Sequence, residues 1–356
     1  MDAVMKNLVD KLEREQTLHR EEFEALLGAR DDDLSAYVTK KARGIADAVY
    51  GKQVYVRGLI EFSNYCRNDC RYCGIRRGCR EVERYRLSME EILSCCEAGA
   101  TLGFRTFVLQ SGEDFWYTDE VLEDIVKQIH TKFPDCAITL SLGERDVSSY
   151  KRLFEAGADR YLLRHETANP AHYGYLHPEE MSLSNRKQCL WNLKKTGYQV
   201  GTGFMVHAPG QTPKTLAEDF LFIRELSPQM VGIGPFVPAR GTPLEKEPAG
   251  TLEETLYLLG LLRIMMPEVL LPATTALGTI HPRGRELGIL AGANVVMPNL
   301  SPADAREKYK LYDNKIYTGA ESAQGYLELQ ESMRAIGYEV VSHRGDSLVD
   351  GYRADR

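Results

Sequence analysis

The chain has 356 residues, 43% hydrophobic and 27% charged, a composition suited to one large globular domain or two ordinary ones. Its net charge of -7, with acidic and basic residues interleaved, excludes an electrostatic footprint for nucleic acid. No apolar run reaches the roughly 20 residues of a membrane span, so no membrane role is expected.

The opening stretch, MDAVMKNLVDKLEREQ, alternates apolar and charged residues in helical fashion and lacks the apolar centre of a secretory signal. A cytoplasmic location is expected. Apolar spacing by three and four continues through LSAYVTKKARGIADAVYG, so residues 1–50 read as a helical entry segment.

From residue 53 onward, short apolar runs alternate with amphipathic segments. The strand candidates are 54–62, 106–110, 137–142, 160–165, 199–206, 230–236, 270–276 and 293–299. Helical patterns separate them, among them SMEEILSCCEAGATLG, TDEVLEDIVKQIHTKF, SLSNRKQCLWNLKKTG and TLEETLYLLGLLRIM. Eight strand–helix beats in about 245 residues predict an α/β fold, a closed (β/α)8 TIM-type barrel over residues 51–300. A doubly wound open sheet has the same periodicity and remains the alternative. Residues 301–356 form a C-terminal segment closing the barrel, with YLELQESMRAIG as a helix in that tail.

Barrel chemistry sits at the C-terminal ends of the strands. There the sequence places QSGED, SLGE, RHETAN, MVHAPGQT, PFVPARGTP, ATTALGT and MPNLSP, and, after the first strand, EFSNYCRNDCRYCGIRRGC. Cys66, Cys70 and Cys73 put three thiols on a loop short enough to wrap one metal centre, and thiolates select zinc or iron–sulfur clusters. A closed zinc site wants a fourth ligand, which Cys79 could supply. Cys95, Cys96, Cys136 and Cys189 sit in apolar contexts and read as core residues.

The three-cysteine loop after the first strand, with Tyr72 just before its third cysteine, resembles that of the radical S-adenosylmethionine (radical SAM) enzymes. Together with LQSGED, RHETANP, MVHAPGQT, MVGIGPFVPARGTPL, PATTALGTI and GANVVMPNLSP, the chain from about residue 40 to 340 resembles the HydE family of FeFe-hydrogenase maturases. Methylornithine synthase and biotin synthase share the barrel and the loop, but their later strand-end motifs are less similar.

The resemblance implies a 4Fe-4S cluster on Cys66, Cys70 and Cys73, leaving one iron open to S-adenosylmethionine. Cys79 is then a bystander. Tyr72, Ser111, Gly112, Glu113, Glu166 and Arg186 fall at cofactor positions, and Arg164, Thr274, Thr275, Tyr309 and Tyr312 at substrate positions. It further implies an Fe(CO)2(CN)-cysteine-type substrate, the partner maturases HydG and HydF, and a reduced ferredoxin or flavodoxin-type electron donor. Thr274 and Thr275 can serve one ligand only where the strand has given way to loop, because adjacent strand residues face opposite sides. Tyr309 and Tyr312 are expected at helical spacing in REKYKLY. Some family members carry a second cluster near the C-terminus. This chain has no cysteine after Cys189 and offers Tyr317, Gly325 and Glu328 there, so one cluster is expected.

Overall fold

Three capped helices open the chain: α1 (Ala3–Glu15), α2 (Arg20–Gly28) and α3 (Asp32–Tyr50). The carboxylates of Asp2 and Asp31 accept from the amides of Val4 and Leu34, and Glu22 closes back on the amide of His19. The computed structural model describes residues 2–316 and 325–349.

The remaining elements, in chain order, are β1 (Gln53–Val56), β2 (Gly58–Ser63), α4 (Met89–Thr101), β3 (Thr106–Ser111), α5 (Asp119–Lys132), β4 (Ala137–Ser141), α6 (Val147–Glu155) and β5 (Arg160–Leu162). They continue with α7 (Pro170–Leu176), α8 (Leu183–Thr196), β6 (Gln199–Thr202), β7 (Met205–Val206), α9 (Pro213–Leu226), β8 (Met230–Val231), β9 (Gly234–Pro235) and α10 (Leu252–Met265). Last come α11 (Thr275–Ile280), α12 (Gly284–Leu290), β10 (Val295–Val296), α13 (Ala303–Lys308), α14 (Tyr326–Ala335) and β11 (Glu339–Val341).

Parallel pairing runs β2–β3–β4–β5–β6–β8. Single bridges carry it onward, Met230 to Leu270 and Pro272 to Val295, while β10 pairs with β1 and Asn299 meets Leu59. The ring closes, as a (β/α)8 barrel requires, and the open-sheet alternative falls. The entry helices pack on its outside: the buried face of α3 (Leu34, Val38, Ala42, Ala46) meets α10 at Gly260, where a Cβ would lie 2.7 Å from Val38 Cγ1.

Several expected strands are shorter or broken. The first is interrupted at Arg57, between β1 and β2. The fifth and sixth each split in two, because Gly203 (φ 153°) and Gly232 approach so closely that a Cβ on Gly203 would lie 1.9 Å from the Gly232 oxygen. The seventh survives only as the two single bridges, and α11 has begun by Thr275, within the expected span of 270–276.

The C-terminal segment reaches both ends of the barrel. Residues 309–316 lie over the mouth, whereas β11 pairs with β1 at the opposite end. There Asp346 receives Arg160 at 2.8 Å and Gln199 at 2.9 Å, and the Arg344 carbonyl receives Thr106 and Arg160. These partners begin β5, β6 and β3, so the tail stoppers the barrel floor. A closing segment with the helix α14 and helical spacing through REKYKLY was expected in this tail; the strand β11 and the floor contacts are additional.

Candidate functional site

The cysteine loop follows β2 and is held by its own backbone. Cys73 donates to the Cys70 carbonyl at 3.3 Å, Arg76 to Cys73 at 3.1 Å, and Arg77 to Asn68 at 2.8 Å. The Arg84 guanidinium gathers carbonyls from both sides, those of Asn64, Ile75, Arg76 and Cys79. One planar cation with five donors can order a loop that has no regular structure. The C-terminal strap also fastens it: Gly74 donates to the Leu311 carbonyl at 2.8 Å, and a Cβ on Gly74 would lie 2.1 Å from the Lys310 oxygen.

All three thiols are half-buried and unpaired by disulfides. Burial pushes them up, Cys73 to about 12, and the nearby Cys73 thiolate adds to the rise at Cys70. Among the described residues, no group of three or more His, Cys, Asp or Glu side chains is drawn close enough to hold a single metal ion. Cys79 is buried beside Gly241 in a separate crevice, and Cys95, Cys96, Cys136 and Cys189 are buried as expected.

A cavity of about 350 Å³ fills the barrel mouth above the strand ends, from Leu59 of β2 round to Met297 beyond β10. Cys66, Cys73, Tyr72, Ser111, Gly112 and Glu113 line its loop side. Glu166, Arg186, Arg164, Thr274, Thr275, Tyr309 and Tyr312 line the rest. Every expected site residue is therefore on this wall except Cys70, whose sulfur lies 3.7 Å from the Met181 sulfur.

The β3 end is locked in place. Glu113 accepts from Arg67 Nε at 3.0 Å and from the Glu144 amide at 2.8 Å, and its carbonyl accepts from the Arg67 amide. Gly143, at φ 76°, gives it room, since a Cβ there would lie 2.0 Å from Glu113 Cγ. Ser111 donates to the Gly112 carbonyl at 2.7 Å, while Asp114 is turned away to a two-point pair with Arg86 at 2.6 and 2.9 Å.

Glu166 and Arg186 do not pair with each other. Arg186, in the first turn of α8, meets Glu144 at 2.5 Å and the Arg164 carbonyl at 2.7 Å. Glu166 holds φ 63°, an uncommon conformation for a non-glycine residue, and its carboxylate lies 3.2 Å from Arg164. That approach misses hydrogen-bond geometry: Glu166 Oε2, Arg164 Nε and Nη2, and Thr274 Oγ1 are all buried without a hydrogen-bond partner. Glu166 Oε2 and Arg164 Nη2 still compensate each other as an ion pair, whereas Arg164 Nε and Thr274 Oγ1 have no polar partner and are costly unless a ligand satisfies them.

Thr274 is the N-cap of α11 and makes no side-chain capping bond, so strand geometry has ended and both threonines reach the cavity. Tyr309 and Tyr312 follow α13 and do not continue it, because Tyr309 is that helix's C-cap at ψ 71°. The buried Tyr309 hydroxyl is 3.4 Å from Gln110 Nε2. Burial, then Glu166, holds the Tyr72 phenol well above its ordinary range, so it is a neutral wall group. Tyr317 lies outside the described residues.

Sequence reasoning missed Glu61, Lys315 and Glu144. Lys315 reaches 2.5 Å to Glu61, which Asn299 also meets at 2.7 Å, and Lys315 stands over the Tyr309 ring. A carboxylate inside an apolar strand, IEF, was the available signal for Glu61. Lys315 had none, because its partner is 254 residues away.

The chain matches the Radical SAM superfamily over residues 60–223. It is 46% identical over 311 residues to the [FeFe] hydrogenase maturase subunit HydE of Thermotoga maritima, spanning 87% of this chain and 88% of that one. It is 30% identical over 315 residues to 3-methylornithine synthase of Methanosarcina barkeri, spanning 87% of each. The crystal structure of methylornithine synthase (PylB) superposes with a TM-score of 0.83 at 27% identity, covering 94% of this chain and 97% of that one.

Proposed function

The chain belongs to the HydE family of radical SAM enzymes, and we propose that it acts at sulfur of an iron-bound, cysteine-derived substrate during assembly of the FeFe-hydrogenase di-iron subcluster. The cofactors of that family are a 4Fe-4S cluster and S-adenosylmethionine. The chemistry of this donor set fits such a cluster. Among the described residues no set of three or more His, Cys, Asp or Glu side chains closes round one point, which suits a polynuclear group, whose corners take one thiolate each, better than a single tetrahedral zinc. Cys66, Cys70 and Cys73 would hold the cluster, which when bound would supply the one-electron reduction that cleaves the sulfonium C–S bond of S-adenosylmethionine. We propose one cluster per chain.

The residues of the wall have distinct tasks in this reading. Gly112 and Glu113 offer backbone carbonyls at the β3 end to the methionyl ammonium, while Arg186 and Glu166 stand where its carboxylate and ribose hydroxyls are to be held. Tyr72 packs beside the thiols and excludes water. Arg164 and Thr274 present the orphaned donors to the carboxylate of an amino-acid-type substrate, with Thr275, Tyr309 and Tyr312 completing the pocket. The cavity encloses the reacting groups and fixes their separation.

The observation that carries this reading is the set of buried polar atoms without hydrogen bonds on the cavity wall, the Arg164–Glu166 ion pair with Arg164 Nε and Thr274 Oγ1 beside it. The test is to reduce anaerobically reconstituted protein with dithionite and S-adenosylmethionine, with and without an Fe(CO)2(CN)-cysteine complex. The expected outcome is 5'-deoxyadenosine in both, with the complex consumed only when S-adenosylmethionine is present. Consumption of a free amino acid alone, leaving the iron complex untouched, refutes the substrate assignment in favour of methylornithine-type chemistry. HydG as supplier and HydF as recipient follow from the same reading.

A further inference from the structure

Outside the barrel, a belt of aromatic and guanidinium groups surrounds the cysteine loop, and two of its arginines, Arg67 and Arg86, also hold Glu113 and Asp114 at the β3 end. Among the described residues, the exposed aromatic side chains are Tyr65 (36%), Phe115 (50%), Trp116 (60%) and Tyr175 (38%). All four flank the loop, and each lies under an arginine. Arg86 stands 3.7 Å from the Tyr65 ring and 5.2 Å from Trp116, Arg67 4.0 Å from Phe115, and Arg71 4.9 Å from Tyr175.

Residues 65–86 hold seven arginines against one aspartate and two glutamates, in a chain whose net charge is -7, and Arg67 and Arg86 are paired with Glu113 and Asp114. The aspartate of this stretch, Asp69, is already paired with Arg76 at 2.7 Å. Arg77 and Arg80 are exposed and make no ion pair among the described residues. Tyrosine, tryptophan and arginine are the residues that dominate protein interfaces, and here they are gathered on one face of an otherwise acidic molecule. Such a face repels basic partners and steers acidic ones. Its position adds the function, because the half-buried thiols of Cys66, Cys70 and Cys73 lie in the loop at its centre.

We propose that this belt is the docking surface for a small acidic one-electron carrier protein that reduces the cluster. The inference rests on the radical SAM reading, which requires an electron for each cleavage of S-adenosylmethionine. In the docked pair the reduced carrier loses one electron and the oxidised cluster gains it, and no atom or proton changes hands. Electron-transfer encounters need only a small interface, below about 1,200 Å², so four aromatic anchors and a ring of guanidiniums suffice.

The test uses the full reconstituted protein and a purified acidic flavodoxin as probe. Affinity is measured at about 50 mM and about 300 mM salt, across which screening rises steeply. The variants are Arg77→Glu/Arg80→Glu, Trp116→Ser and, as a control, Lys195→Glu. Lys195 is exposed near the end of α8, a helix that runs from Arg186 at the mouth toward the opposite end of the barrel. The expected result is salt-sensitive wild-type binding, weakened at least about tenfold by the double charge reversal and about threefold by Trp116→Ser. Lys195→Glu should bind as wild type. Flavodoxin-driven formation of 5'-deoxyadenosine should fall in parallel, with dithionite-driven formation unchanged.

Unaltered flavodoxin affinity in Arg77→Glu/Arg80→Glu, or an equal loss in Lys195→Glu, overturns the proposal. Loss of binding to another maturation protein with flavodoxin binding intact overturns it too, by assigning the belt to that partner. Failure of dithionite-driven cleavage in the wild type defeats the radical SAM reading instead, and the flavodoxin affinities still decide the surface.

Discussion

Replacing Gly112 by alanine adds one methyl group where the end of β3 presses on the cysteine loop. The new Cβ would lie 2.2 Å from the Tyr65 carbonyl oxygen and 2.7 Å from Cys66 Cβ, so backbone must move by about 0.8 Å to restore even a 3.0 Å contact. Neither side yields easily. Gly112 is tied to the Ser63 carbonyl at 3.2 Å, and the adjoining Glu113 is clamped by Arg67 and the Glu144 amide. Gly112 is not among the glycines at positive φ, so alanine meets no conformational objection and the effect is steric alone.

Overpacking of this kind costs about 1–3 kcal/mol, equivalent to about 5- to 150-fold in an equilibrium constant. Since the strain falls on Cys66 and on the carbonyls proposed for the cofactor, it should appear as weaker iron incorporation and weaker S-adenosylmethionine binding. Iron content after anaerobic reconstitution and calorimetric affinity measure the two. Gly44→Ala is the control: it lies within α3, its Cβ would meet nothing within 4 Å, and it should stabilise by about 0.5–1 kcal/mol. A soluble Gly112→Ala protein that binds iron and S-adenosylmethionine as the wild type does would falsify the proposed role of this close approach.

Cys70→Ala should abolish iron binding and 5'-deoxyadenosine formation, whereas Cys79→Ser should keep both; iron and sulfide analysis should give about four of each per chain. About eight of each would contradict the single-cluster proposal. Asp346→Asn leaves the fully buried Arg160 short of its counter-charge and should destabilise by about 2–3 kcal/mol in chemical denaturation. Burial raises the Asp346 pKa, but Arg160 and its hydrogen bonds outweigh this and hold it at about 2. Its stabilising contribution is thus present above the ordinary carboxylate value and lost as pH falls toward about 2, so wild type and Asp346→Asn should converge in acid. A gap that widens on acidification would count against this pairing. Lys315→Met strands the buried Glu61 carboxylate and should loosen the strap, seen as faster proteolysis after residue 308; an unchanged digestion rate would show that the ion pair does not fasten it.

The barrel was legible because its signal is periodic. Eight apolar runs at regular spacing survive local irregularity, and the loop that follows each run is fixed by chain order. The cysteine loop was legible because Cys66, Cys70 and Cys73 are neighbours in sequence, so their spacing alone bounds how far apart the thiols can be. Strand extents were less legible. The breaks at Gly203 and Gly232 arise from two backbones touching, and Thr275 enters α11 although its residues continue a β-branched run; both depend on partners distant in the chain.

What the sequence determined by itself is therefore the class of chemistry and the order of its parts, since both reside in local spacing and in motifs at strand ends. The tertiary structure decided which polar groups are left waiting. It joined Arg186 to Glu144 and left Arg164, Glu166 and Thr274 with orphaned atoms in one cavity. It also sent Lys315 to Glu61 and Asp346 to Arg160, at opposite ends of the barrel. Such pairings require a closed ring to bring residues separated by most of the chain within 3 Å, and no local property of the sequence encodes that distance.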